Sequence, residues 1–425
     1  LIQASDPPAP PVYETWRECG HCGLVSALPE KQPTFVVECP RCTHTLWKMR
    51  KHPFEFPLAC GLAGALFYVF ALIAPFLEVS AYGRFSLARI STGPIELSSQ
   101  GFALVGALVM AATVIFPGIK LGIMLLTLGG LETRWFSRRL LRFTFRWYAP
   151  LAPWAMIDVY LLGFLVAYTR LTGLANVHLD TALYSLIGLM VSMAAADASL
   201  DSEAVWRALD DAPPPVPEHA LPHTLIGCHT CGLLNDAPPG ARCRRCDTVL
   251  HRRKTDSISR SWAFLIAAVM LYIPANIYPV MFITQAATSH DFTIFGGIEE
   301  LLSYGLWPLA LLVFFASITI PLMKLLILAY MLVQTQRRHD THLLLRTRAF
   351  RLIDFIGRWS MIDVFMISIL VALVRFGQFA DVIAEPGAPC FAAVVVLTMF
   401  AVEAFDPRLM WDQAEPQRDG TPVPA

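Results

Sequence analysis

Trp154-Ala-Met-Ile-Asp-Val159 recurs as Trp359-Ser-Met-Ile-Asp-Val364, at an offset of 205 residues. Around this phrase, Pro117, Lys120 and Arg170 recur as Pro321, Lys324 and Arg375, at offsets of 204 or 205. Ahead of each copy stand two Cys-x-x-Cys pairs. The period is too long for a solenoid repeat. The chain is therefore a tandem duplication, each unit a small cysteine module followed by a mostly apolar stretch.

Composition says what the apolar stretch is. The 425 residues are 55% hydrophobic and only 16% charged, with mean hydropathy +0.52. Net charge is zero, so no global field draws nucleic acid. A spanning helix needs about 20 mostly apolar residues. Eight stretches qualify, near 57–77, 102–130, 150–171 and 182–199, then 261–283, 306–333, 358–377 and 388–405. Pro75, Pro117, Pro279 and Pro321 lie inside or at the ends of these spans, where bends are expected. Residues 1–50 lack the basic start, apolar stretch and cleavage site of a secretory signal, so the first span is expected to be a retained anchor.

Loop charge gives the orientation. Arg134, Arg138, Arg139, Arg142 and Arg146 follow the second span, and Arg337, Arg338, Arg346, Arg348 and Arg351 the sixth. Arg50 and Lys51 precede the first span; Arg252, Arg253, Lys254 and Arg260 precede the fifth. The opposite loops hold only Arg84 and Arg89, with no Lys or Arg in 284–305 or 378–388. The positive-inside rule places both cysteine modules, both basic loops and both termini in the cytoplasm.

The resulting layout is an all-α polytopic membrane protein with eight transmembrane helices. It is built as two tandem four-helix modules, each preceded by a cytoplasmic four-cysteine zinc ribbon. We divide the chain into an N-terminal tail with ribbon 1 (1–52), module 1 (53–205), a linker with ribbon 2 (206–256), module 2 (257–407) and a disordered tail (408–425).

Ribbon 1 is Cys19-Gly-His-Cys22 with Cys39-Pro-Arg-Cys42; ribbon 2 is Cys228-His-Thr-Cys231 with Cys243-Arg-Arg-Cys246. Two such turns can close a tetrahedral thiolate site around one Zn²⁺, giving two ions per chain. Gly20, Gly23, Gly232 and Gly240 suit the turns. Cytoplasmic placement argues against resting disulfides. The sites are expected to be structural, folding segments too short for their own core; rubredoxin-like iron and thiol redox use are the alternatives. Cys60 and Cys390 read as ordinary core residues.

Lys120 lies about ten residues before the end of the second span, roughly 15 Å deep at the helical rise. Asp158 lies about eight residues into the third, roughly 12 Å deep. Lys324 and Asp363 repeat the relation. An unpaired charge at that depth costs at least about 2.5–3.5 kcal/mol, so each Lys is expected to pair with its Asp or to line a wet cavity. The plain alternatives are a structural pair that fixes helix register, or a lysine that snorkels. In module 2, Ser317 lies two turns before Lys324, Ser360 one turn before Asp363, and Thr398 in the eighth span. Module 1 has Thr113 and Ala155 at the places of Ser317 and Ser360, so module 2 is expected to be the active one. Serines and threonines in membrane helices more often bond their own carbonyls. Trp154 and Trp359 are expected to anchor at the interface, and Asp197 and Glu403 to snorkel.

Outside, Gly93-Pro-Ile-Glu-Leu-Ser-Ser-Gln-Gly101 and Gly297-Ile-Glu-Glu-Leu-Leu-Ser-Tyr-Gly305 close related loops, and Val79–Ile90 alternates as a hairpin would. A partner or mere capping fits these loops equally. No Gly-Lys-Ser/Thr loop is present, so no nucleotide is used; no paired histidines suit haem. Nothing points to an enzyme.

The eight cysteines, Pro321-Leu-Met-Lys324, Gly357-Arg-Trp-Ser-Met-Ile-Asp363 and Ala401-Val-Glu-Ala-Phe-Asp406 together resemble the paraquat-inducible protein A family, nearest its LetA-like inner-membrane subgroup, over roughly 16–412. The resemblance implies a Gram-negative inner-membrane component of an intermembrane lipid transport system. It implies a periplasmic MCE-domain tunnel partner, with phospholipid moved between membrane and tunnel. We place coupling at Lys324, Asp363, Ser317, Ser360 and Thr398, with Lys120 and Asp158 as the module 1 counterparts, and expect proton coupling. A non-transporting anchor for the tunnel protein and a zinc or thiol redox membrane protein are the rivals.

Overall fold

A computed structural model describes residues 16–27, 36–48, 50, 52–81, 84–172, 176–210, 225–285, 288–303, 305–339, 341–373 and 380–412. Arg375 of the repeat, residues 1–15 and 211–224 of the expected tail and linker, and 413–425 of the expected C-terminal tail lie outside these residues.

Ribbon 1 is two hairpins, β1 (Trp16–Glu18) with β2 (Val25–Ala27) and β3 (Val36–Glu38) with β4 (Thr45–Lys48). Module 1 follows as α1 (Glu55–Ile73), β5 (Leu77–Ala81), β6 (Arg84–Ala88), α2 (Thr92–Ser99), α3 (Ala103–Met110) and α4 (Phe116–Thr133). It continues with α5 (Arg138–Phe145), α6 (Tyr148–Leu151), α7 (Ile157–Thr172), β7 (Asn176–Leu179), α8 (Thr181–Ser199) and α9 (Ser202–Leu209). Ribbon 2 carries β8 (Ile226–Gly227) and β9 (Leu234–Asn235). Module 2 repeats the order with α10 (Ser257–Ile277), β10 (Met281–Gln285), β11 (Thr288–Phe292), α11 (Ile294–Ser303), α12 (Trp307–Phe314) and α13 (Ile320–Gln336). It ends in α14 (Leu343–Ile356), α15 (Ile362–Leu373), β12 (Ala380–Ala384), α16 (Gly387–Ala404) and α17 (Arg408–Asp412).

Among the described residues, eight helical segments are long and apolar enough to cross a membrane, and the chain is a multi-pass membrane protein. The expected hairpin forms as β5–β6, with a third strand added. In each module the strand after the first helix is central, in the orders β6-β5-β7 and β11-β10-β12. Leu77 and Val79 alternate inward from β5. The loop phrases form α2 and α11.

The prolines act through a device the spacing did not reveal. Pro117 and Pro321 have no N–H, so the carbonyls of Thr113 and Ser317, four residues back, lose their helical donors. Each helix widens there into one π turn, Ala111–Ile115 and Phe315–Thr319. Tyrosines from the first helix of each module take up nearby carbonyls: Tyr68 Oη donates to Val114 O at 2.8 Å and Tyr272 Oη to Ile318 O at 3.4 Å.

The third span of each module is broken. A 3-10 turn over Ala152–Trp154 precedes α7, and one over Gly357–Met361 joins α14 to α15. Asp158 and Asp363 therefore sit in first helical turns, where the helix dipole favours a carboxylate, and not midway along continuous helices as expected. The basic loops are themselves helical, as α5 and α14. The tail expected to be disordered from 408 begins as α17, with Met410 and Trp411 buried.

The modules meet at α7 and α15. Every residue of α15 is buried, and the Tyr160 and Phe365 rings meet edge to face at 5.7 Å. Helix α2 of module 1 also lies on α15. A Cβ at Gly93 would stand 2.5 Å from the Ser368 carbonyl oxygen, a backbone atom that cannot swing aside. Gly93→Ala is expected to cost about 1–3 kcal/mol, lowering the thermal unfolding midpoint of detergent-purified protein by several degrees. Gly129→Ala, with no atom within 4 Å of the new methyl, should leave the midpoint in place or raise it.

Candidate functional site

Each ribbon gathers its four thiols into one cluster, with all sulfurs within 4.8 Å of one another. The close pairs are Cys19–Cys42 and Cys22–Cys39 at 3.5 Å, Cys228–Cys246 at 3.4 Å and Cys231–Cys243 at 3.6 Å. A disulfide needs about 2.05 Å; a tetrahedral ion with thiolate bonds of about 2.3 Å spaces its sulfurs roughly 3.8 Å apart. The residues fit a tetrathiolate metal ion. Local backbone makes this possible. Gly23, Thr43, Gly232 and Asp247 follow the second cysteine of each pair and all have positive φ. Their N–H groups turn back onto the carbonyls of Cys19, Cys39, Cys228 and Cys243. Gly240 also has positive φ, whereas Gly20 does not. Within each cluster the hydrogen bonds between thiols split the sulfurs: that from Cys22 pulls Cys19 down to about 4, while Cys22 itself is pushed up. His21 stays neutral, pushed to about 4 by burial and by neighbouring His44 and Arg351.

The ribbons do not simply sit on the modules they precede. The cysteine core of ribbon 1 packs on module 2: the His21 ring is 6.3 Å from Phe350, Arg41 lies 4.6 Å over Trp411, and Arg351 donates to Cys42 O. Arg17 of the same ribbon pairs with Glu203 of α9. Ribbon 2 holds module 1, with Arg245 on Asp210 at 2.9 Å and on Glu203 at 3.4 Å. Glu18 ties the crossing together. Its Oε1 accepts from Arg408 at 3.0 Å and Arg253 at 3.3 Å, and its Oε2 from Gly227 N at 2.9 Å. Burial raises the Asp406 carboxyl, but the hydrogen bonds and charge of Arg408 outweigh it and hold it low.

Between the ribbons and both modules opens a cleft of about 1120 Å³, whose lining includes Lys324, Asp354, Gly357, Asp197 and Glu403. Lys324 is 1% exposed. Its Nζ donates to Thr398 Oγ1 at 2.8 Å and to Gly357 O at 3.2 Å; Ser360 Oγ donates to the same carbonyl at 2.8 Å. A Cβ at Gly357 would come 3.2 Å from Lys324 Cε and 3.3 Å from its Nζ, so the end of the lysine would have to give by a few tenths of an ångström.

The structure thus brings together Lys324, Ser360 and Thr398, through a carbonyl that the sequence did not flag. It does not pair Lys324 with Asp363. Asp363 lines a separate small cavity with Val280, Val313 and Phe391. Ser317 Oγ is buried in the π turn with no hydrogen-bond partner among the described residues.

Module 1 departs from expectation further. Lys120 Nζ binds Asp197 Oδ2 at 2.5 Å, not Asp158. Tyr148 Oη donates to Asp197 Oδ1 at 2.6 Å. Asp197 is the counter-ion of Lys120. It stands two residues from the end of α8. Beyond Lys120, α4 runs about 20 Å more, past the level where α8 stops. Lys324 lines the ribbon-side cleft, whereas Lys120 lines a small separate cavity with Met124, Tyr148 and Asp197. Trp154 packs on Phe400 of module 2 at 5.2 Å, a module contact more than an interfacial anchor, while Trp359 is 38% exposed. Glu403 is exposed at the cleft. The missed residues Asp197 and Tyr148 carried one signal: a carboxylate and a phenol near apolar spans that the second copy lacks.

The family model of paraquat-inducible protein A matches residues 54–210 and again 258–415. "Intermembrane transport protein PqiA" of Escherichia coli K12 is 30% identical over 410 residues, covering 93% of this chain and 95% of its own. "Lipophilic envelope-spanning tunnel protein A" of the same strain is 29% identical, covering 94% and 92%. A "Probable intermembrane transport protein" of Haemophilus influenzae is 25% identical, covering 93% and 94%. No solved structure matches this chain.

Proposed function

This chain belongs to the paraquat-inducible protein A family, and on that basis we propose that it is the inner-membrane component of an intermembrane lipid transport system. It moves phospholipid between the inner membrane and a periplasmic tunnel built by an MCE-domain partner. Both ribbons, the basic helices α5 and α14 and both termini face the cytoplasm, in keeping with the Arg-rich ribbon side. Each ribbon holds one Zn²⁺ that fastens the modules and does no chemistry. The chain is not an enzyme.

One observation carries the transport reading: a lysine 1% exposed, held by a hydroxyl and a carbonyl with no ion pair among the described residues, at the floor of a cleft between two modules. Ionisable groups placed this way in membrane proteins mark substrate or proton pathways. Lys324, with Ser360 and Thr398, is the cleft-side station. Asp363, near Ser317 and the outer cavity, is a second station, and proton movement toward the cytoplasm between them drives lipid loading. Lys120 and Asp158 keep the corresponding places in module 1.

The test is reconstitution in liposomes with the tunnel partner, following labelled phospholipid under an imposed pH gradient. Transfer that needs the gradient supports the reading. No transfer under any gradient, with the partner bound normally, overturns it in favour of a passive anchor.

A further inference from the structure

The two modules share a fold and a lysine, but they neutralise that lysine differently. In module 1, Lys120 is 4% exposed and paired with Asp197, whose other oxygen takes the Tyr148 hydroxyl. The phenol is held in place by stacking on Phe145 at 5.6 Å, itself edge-on to Trp206 at 5.1 Å. The lysine also lies 5.5 Å from the Tyr148 ring centre, over its face. Charge, hydrogen bond and cation–π contact all hold the same ammonium.

Module 2 keeps the surrounding frame. The 205-residue offset that carries Phe145 to Phe350 and Asp201 to Asp406 carries Tyr148 to Ile353 and Asp197 to Val402. Ile353 and Val402 line the cleft beside Lys324. Val402 lies on α16 one turn past Thr398, which already reaches Lys324 Nζ at 2.8 Å. A carboxylate at 402 would face the lysine as Asp197 faces Lys120. Both halves of the arrangement have been replaced by apolar side chains, and Lys324 is left on neutral acceptors. Neutral acceptors release an ammonium more easily than a carboxylate does, even one as exposed as Asp197, whose side chain is 43% accessible.

We propose that Asp197 and Tyr148 form a charge lock on Lys120 that makes module 1 the static half of the protein, and that its absence at Val402 and Ile353 leaves module 2 as the half that moves. The assignment rests on the transport function above. Asp197 and Tyr148 are positioning residues: they act on lipid only by fixing Lys120.

The lock is transplantable, and that is its test. Full-length protein carrying Val402→Asp, Val402→Asn, Lys324→Met, or Lys324→Met with Val402→Asp is purified, its thermal midpoint measured, and lipid transfer followed in the liposome assay with the tunnel partner. If the lock forms, Val402→Asp lowers the midpoint by at least about 5 °C more in the Lys324→Met background than in the Lys324 background, because Lys324 then adds compensation for the new charge beyond that of Lys254, whose Nζ donates to Glu403 O in both. Transfer by Val402→Asp falls at least about tenfold below that of the isosteric, neutral Val402→Asn. Equal transfer by the Asp and Asn variants, or equal midpoint shifts in the two backgrounds, overturns the proposal. If the wild-type chain itself transfers no lipid, the transport function fails and the static and moving roles fall with it. The midpoints then report only whether a carboxylate at 402 reaches Lys324.

Discussion

Replacing Cys39 and Cys42 by Ser will loosen module 2, although ribbon 1 precedes module 1. Structural Zn²⁺ supplies about 10–16 kcal/mol to small thiolate domains, and a ribbon without it loses the geometry that packs His21 on Phe350 and Arg41 on Trp411. Amide hydrogen exchange should rise in α14 and α17, by tenfold or more for a loss of about 1.4 kcal/mol in local stability. The matching change in ribbon 2, Cys243→Ser with Cys246→Ser, should loosen α9, because Arg245 no longer holds Glu203 and Asp210. Loosening confined to the module that follows each altered ribbon would refute the crossed arrangement. Chelation of both metals should act as the sum of the two, since the ribbons touch chiefly through Glu18 and its neighbours.

Lys324→Met will abolish gradient-driven lipid transfer while leaving the protein as stable as before, or more so. Methionine nearly matches the length of the lysine stem and removes an ammonium whose burial is offset only by Thr398 Oγ1 and Gly357 O among the described hydrogen bonds. Replacing buried charge by apolar volume is commonly neutral or stabilising. Transfer should drop at least about tenfold with an unchanged or raised thermal midpoint. A lysine that served only to fix helix register would show the reverse, a lower midpoint with transfer intact, and that outcome would return the site to a structural role. Asp363→Asn is expected to reduce transfer similarly at normal protein levels.

The duplication, the eight spans, the two four-thiol clusters and the burial of Lys120 and Lys324 were all legible in the order of residues. These are local or periodic properties: a spanning length of apolar residues, two close cysteine pairs, a phrase repeated at constant offset. Helical spacing set Ser317 on the face of Lys324 and Ser360 on that of Asp363, whereas the fold gathers Ser360 and Thr398, from two other segments, at Lys324. Spacing misjudged the partners of both lysines, because depth was counted from helix ends that do not lie at one level and the third spans were assumed to be unbroken. Packing in three dimensions settled that Lys120 meets Asp197, 77 residues away, that Asp363 looks into a different cavity from Lys324, and that each ribbon also grips the module it does not precede. Such pairings depend on how far one helix outruns its neighbour and on which module a short domain reaches, and no spacing along the chain encodes either distance.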